Sequence, residues 1–101
     1  MIAHVATFIW NEDVTPADID RLDEALSGLP GVIPAIRSYS YGRDLGIRDG
    51  NADYAVVALV DDAGAVSGYL DHPYHKQMSK ELISPMVKER RAVQLDWSPT
   101  P

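Results

Sequence analysis

Residues 54–75, YAVVALVDDAGAVSGYLDHPYH, hold a strand, a helix cap, a helix and a break in direct succession. The first seven positions are rich in β-branched side chains, the composition of a strand. Both of its faces are apolar: Tyr54, Val56, Ala58 and Val60 alternate with Ala55, Val57 and Leu59. A strand with one wet face alternates apolar with polar residues, so this one is covered on both sides. Asp61 or Asp62 supplies the N-cap of a short helix that runs to Leu70. His72 precedes Pro73, whose ring disfavours helical geometry in the residue before it, so the helix breaks there. A second helical piece is expected over residues 74–82.

Outward from this segment the same reading continues. IAHVATFIW, residues 2–10, is a first strand, with Ile2, His4, Ala6, Phe8 and Trp10 on one face and Ala3, Val5 and Ile9 on the other. Thr15 as N-cap, Pro16 at the first helical position and Asp18 three residues after the cap open an amphipathic helix over residues 16–28. Ile19, Leu22, Leu26 and Leu29 mark its apolar stripe, and Gly28, Pro30 and Gly31 end it. Residues 33–43 read as a second strand, with Pro34 near its start implying an edge position. RDLGIRDGNAD is a polar loop long enough to act as a flap. Residues 89–97 read as a last strand, followed by a frayed SPTP tail.

The order is β-α-β-β-α-β, an α+β, ferredoxin-like protomer. Two helices can cover only one face of a four-stranded sheet, yet the first and third strands are apolar on both faces. An exposed apolar sheet of that extent is a liability. A second copy of the same sheet is the simplest cover, so the expected assembly is a homodimer with sheets face to face, a dimeric α+β barrel. No repeat or linker divides the chain, and residues 1–101 are expected to form a single domain.

Composition removes several function classes. A net charge of −6 across 101 residues argues against nucleic-acid binding, which needs a basic face, and Glu89 interrupts the only basic cluster at Lys88, Arg90 and Arg91. With no cysteine there is no disulfide framework and no thiolate metal site, which suits a cytoplasmic location. No apolar run has the length of a membrane span, and the N-terminus lacks the basic leader of a signal peptide. Gly42, Gly46 and Gly50 form no phosphate loop, and no serine lies in a nucleophile turn.

The chemistry-bearing residues cluster around the break. His75, Met78, Leu82 and Ile83 fall at helical spacing, which puts an imidazole on an apolar stripe where it needs a partner. Tyr69 ends the preceding helix and can point into the same space. His4 shares its strand face with Phe8 and Trp10, and Asp96 on the last strand can orient an imidazole as carboxylates often do. His72 is read as a cap. A metal site built on His72 and His75 is disfavoured because Pro73 separates them and no third ligand is near in sequence. General acid–base chemistry needs less: a neutral imidazole to take a proton from an activated C–H, and a tyrosine hydroxyl to steady the oxyanion. No cofactor is required for it.

These residues carry a resemblance. HVATFIW, LPGVIPAIRSYSYGRD, the 53–75 block with its tyrosine followed by H-P-x-H, and DWSP together resemble the stress-responsive dimeric α/β barrel (Dabb) family over residues 2 to about 99. Within it the chain is similar to the olivetolic acid cyclase-like polyketide cyclases, which perform a cofactor-free intramolecular aldol condensation. That resemblance implies His75 as the catalytic base, with Tyr69, His4 and Asp96 assisting. The chain departs from those cyclases in helix one, where Leu22, Ala25 and Leu26 replace bulky aromatics, and in the polar KQMSKELISPMV that follows His75.

Three functions are consistent with this reading. The first is a cofactor-independent cyclase or lyase acting on a polyketide-like substrate through His75. The second is a non-catalytic stress-responsive protein that binds a hydrophobic or aromatic ligand or stabilises a partner. The third is a cofactor-free monooxygenase of the related barrel class, with Trp10, Trp97 and Tyr54 lining its pocket.

Overall fold

The computed structural model describes residues 1–100; Pro101, the end of the expected tail, lies outside them. Four strands, β1 (Ile2–Trp10), β2 (Ser38–Arg43), β3 (Tyr54–Val60) and β4 (Val87–Asp96), form one sheet in the order β2-β3-β1-β4. Every neighbouring pair is antiparallel. Helices α1 (Pro16–Gly28), α2 (Ala63–Leu70) and α3 (Pro73–Met78) complete a ferredoxin-like α+β fold.

Local chemistry accounts for the elements. Thr15 and Asp18 form a reciprocal capping box at the start of α1, the Thr15 hydroxyl accepting from the Asp18 amide and the Asp18 carboxylate accepting from the Thr15 amide. Leu22 and Leu26 on α1 are completely buried, each burial stabilising the fold by roughly 1.5–3 kcal/mol. Asp62 caps α2 by accepting from the Ala65 amide at 2.9 Å. His72 caps α3, its Nδ1 accepting from the Tyr74 amide at 3.2 Å, so Pro73 sits where its missing N–H costs nothing.

Three boundaries differ from the sequence expectation by two residues or more. β2 begins at Ser38 rather than at residue 33. Pro34 has no N–H for a ladder, and the segment turns instead, with Ile33 and Ile36 buried in the core. The expected helix over 74–82 ends its α-helical part at Met78 and continues as a π-helical turn over Ser79–Ile83, closed by the Ser84 amide on the Ser79 carbonyl at 2.8 Å. A five-residue turn brings Ile83 above Met78, so Ile83 is buried and Leu82 only half-buried. β4 starts two residues early because its ladder with β1 runs past an irregularity between Ile9 and Trp10, to a Trp10–Val87 pair.

The helices cover one sheet face. His4, Ala6, Phe8 and Trp10 of β1 and Tyr54, Val56, Ala58 and Val60 of β3 are buried beneath them. On the opposite face Val5, Val57 and Leu59 are half-buried, while Val93 and Leu95 on β4 are 54% and 44% exposed.

Candidate active site

Beneath α2 and α3 the sheet and helices enclose a cavity of about 140 Å³. His4, Tyr69 and His75 all line it, together with Tyr39, Arg90 and an apolar floor that includes Phe8 and Val56. Three elements are needed to bring the predicted groups together. β1 presents His4 on its helix-facing side, the last turn of α2 supplies Tyr69, and α3 begins close enough for His75 to follow. The break at His72–Pro73 turns the chain so that the His75 ring meets Tyr69 edge-on, centroids 4.6 Å apart. His4 meets the same tyrosine at 5.9 Å, also edge-on.

Each imidazole is fixed by a different kind of partner. The Nδ1 of His75 lies 3.1 Å from the Leu70 carbonyl oxygen. A carbonyl can only accept, so Nδ1 carries the hydrogen and Nε2 keeps a bare lone pair. His4 has the reverse arrangement: the Gln94 amide nitrogen donates to its Nδ1 at 2.8 Å, so Nε2 carries the hydrogen. One ring therefore offers an acceptor and the other a donor to the cavity they share.

Burial holds both rings neutral. It depresses the His75 pKa below the ordinary 6.5; the bond to Leu70 opposes this, and the positive charge of Arg90 adds to it. His4 is lowered for the same main reason, with Arg90 and His75 contributing. The two tyrosine hydroxyls, Tyr39 and Tyr69, are 2.7 Å apart. Burial raises the pKa of both. Either hydroxyl can donate in this bond, and a Tyr69 that accepts from Tyr39 keeps its own O–H for another partner.

Asp96 does not occupy the position expected of it. It pairs with Ile2 at the end of the sheet and its side chain is exposed; the residue opposite His4 is Gln94. The two-residue displacement follows from the β1–β4 register, which a sequence does not reveal. Tyr39, Gln94 and Arg90 are the site residues that sequence reasoning missed. Tyr39 left a signal in the alternating SYSY of β2, which puts Tyr39 and Tyr41 on the face that carries Val56 and Ala58. Trp10 stacks on Phe8 with centroids 5.4 Å apart and Tyr54 packs tilted against both, neither lining this cavity, and Trp97 is 44% exposed beyond β4. Among the described residues no three His, Cys, Asp or Glu side chains gather closely enough to hold a metal ion.

A four-stranded antiparallel sheet in the order β2-β3-β1-β4 with its helices on one face defines the ferredoxin-like α+β class. Comparison with known proteins narrows this: the chain belongs to the stress-responsive A/B barrel domain (Dabb) family, whose sequence profile matches residues 2–98. It is similar to a dimeric ferredoxin-like protein from Thermobifida fusca, with 44% identity and a TM-score of 0.86 over 93% of this chain and 88% of that one. The stress-response A/B barrel domain-containing protein HS1 of Arabidopsis thaliana is 22% identical across 98% of this chain and 90% of its own length. A hydroxynitrile lyase from Passiflora edulis superposes with a TM-score of 0.80 over 98% of this chain and 96% of that one. At 14% identity that likeness is one of fold alone. No described helix is long and apolar enough to cross a membrane.

Proposed function

We propose that the chain is a homodimeric, cofactor-independent lyase or cyclase in which His75 is the general base. The observation that carries the proposal is the opposed partners of two imidazoles on one cavity: a carbonyl oxygen at His75 Nδ1, which favours a bare Nε2, and an amide nitrogen at His4 Nδ1, which favours Nε2–H. The His75 Nε2 takes a proton from a carbon next to a carbonyl, and the Tyr69 hydroxyl donates to the enolate oxygen that forms. In an aldol ring closure the enolate electron pair makes the new C–C bond to a second carbonyl carbon of the same molecule. The oxygen of that carbonyl accepts a hydrogen bond from His4 Nε2–H and takes the proton that His75 carried, so both imidazoles end neutral. One proton leaves carbon and one arrives on oxygen, so the step is redox-neutral and needs no co-reactant. Asp96, exposed at the end of β4, takes no part in this step.

Dimerisation is part of the same reading. The apolar face opposite the helices, with Val5, Val57, Leu59, Val93 and Leu95, suits a second copy of itself. The dimeric relative from Thermobifida fusca supports it.

The test is proton exchange at the α-carbon of small keto acids in deuterated water, a half-reaction that needs no knowledge of the full substrate. His75→Gln is expected to lower the exchange rate by about 10²–10⁴-fold while the protein stays folded. Exchange that is unchanged in His75→Gln would sink the assignment and leave a ligand-binding role, which the depth and apolar floor of the cavity also suit.

A further inference from the structure

Arg90 carries the further inference. The chain is strongly acidic, with fifteen Asp and Glu against nine Lys and Arg, and most of its arginines use that excess. Arg21 pairs with Asp18, Arg37 with Asp61, Arg43 with Asp20 and Asp23, and Arg91 with Glu89. Among the described residues no carboxylate lies within 4.0 Å of the Arg90 side-chain nitrogens, although acids are plentiful. Arg48, the other arginine without an ion pair, sits in the exposed 44–53 loop; Arg90, also solvent-exposed on β4, lines the histidine cavity. No acidic side chain lines that cavity. Its polar groups are donors or neutral: the guanidinium, the His4 Nε2–H and the Tyr69 hydroxyl. A site built this way lacks a negative charge.

We infer that Arg90 binds the carboxylate of the substrate, and that the substrate is a compact keto acid no larger than about one aromatic ring. The guanidinium's planar fork matches a carboxylate with two parallel hydrogen bonds. The size limit comes from the cavity: about 140 Å³ is close to the roughly 150 Å³ engineered cavity that accepts benzene. Leu26, Met78 and Ile83 give it part of its apolar wall. Arg90 thus acts as an anchor that sets which carbon faces His75, a specificity role separate from proton transfer. The inference rests on the general-base reading for the word substrate; the anion site itself does not depend on it.

Benzoate is the probe, with benzyl alcohol as its uncharged counterpart, titrated calorimetrically into the whole protein near pH 7.5 at physiological salt. Imidazole NMR signals of His4 and His75 report where the probe sits. The expected result is benzoate binding that perturbs both imidazoles and exceeds benzyl alcohol binding by at least about tenfold. Arg90→Gln is expected to remove that preference, and benzyl alcohol binding should be untouched. Arg91→Gln, on the opposite sheet face, should change neither; Arg90 makes no ion pair, so its replacement leaves the fold intact. Absence of saturable benzoate binding, equal affinity for the two probes, full benzoate affinity in Arg90→Gln, or tighter binding of phenyl phosphate overturns the inference. None of these outcomes involves turnover, so a failed anion site and a failed base at His75 are told apart by comparing this titration with the exchange assay.

Discussion

Gln94 holds His4 across the β1–β4 ladder, its side-chain nitrogen 2.8 Å from His4 Nδ1 at directly paired positions. A neutral donor at Nδ1 selects the Nε2–H tautomer and gives the ring no reason to charge. Gln94→Glu replaces that donor with an acceptor and a negative charge. The His4 titration midpoint, followed by imidazole NMR, is expected to rise by about 1–3 pH units. An unmoved midpoint would show that Gln94 does not govern the His4 proton.

The Tyr39–Tyr69 pair makes a second prediction. Tyr39→Phe removes the hydroxyl hydrogen-bonded to Tyr69 while leaving both rings in place. Stability should fall by only about 0.5–1.5 kcal/mol, the usual net worth of such a bond. Exchange at the α-carbon should fall about tenfold, and Tyr69→Phe should cost more because it removes the donor itself. Equal losses in the two variants, or no loss in either, would argue against Tyr69 as the oxyanion donor.

Stability should depend on pH with a definite sign. His4 and His75 both have folded-state pKa values below 6.5, chiefly through burial. Above pH 6.5 neither state binds the proton and the fold keeps its full stability. As pH falls below 6.5 the unfolded chain takes up protons that the folded rings refuse, so stability drops until the folded values are passed. The slope is at most about 1.4 kcal/mol per pH unit for each ring. The charges facing these rings are Arg90 and His72 against Asp71, and Tyr69 stays neutral throughout. Thermal melts between pH 7.5 and 5 should show a falling midpoint, and His75→Gln should flatten the curve.

The open sheet face tests the assembly. Val57 is central on it, paired with Val5 on one side and Ser40 on the other. Val57→Lys places a charge where a second sheet would pack, and burying an unpaired charge there is costly. Sedimentation should move from dimer to monomer, whereas a wild type that sediments as a monomer at micromolar concentration would contradict the dimer outright.

Most of the fold was legible because it is written in local signals. The capping box at Thr15 and Asp18, the two-sided apolar strand at 54–60 and the break at His72–Pro73 each rest on residues close in sequence. The resemblance carried by the H-P-x-H block also led to the family that the profile match shows. Where the reading slipped, the deciding partner lay elsewhere. Pro34 excludes residues 33–37 from the ladder only once the edge strand has to pair with β3, and the extra residue in the π-helical turn is set by what Ile83 must cover.

The candidate site divides the same way. From the amino-acid order alone follow the presence of His75 on an apolar stripe, the helix break that precedes it, and the even-numbered face of β1 that carries His4. Those are consequences of helical and strand periodicity, which act over a few residues. Only the tertiary structure decided that Gln94 rather than Asp96 meets His4, that Tyr39 reaches Tyr69, and that Arg90 lines the cavity without a carboxylate beside it. Each of these depends on strand register, and register is settled by the packing of the whole sheet against its helices. A shift of two residues preserves every face and every local preference, so nothing short of the packed fold distinguishes one partner from the next.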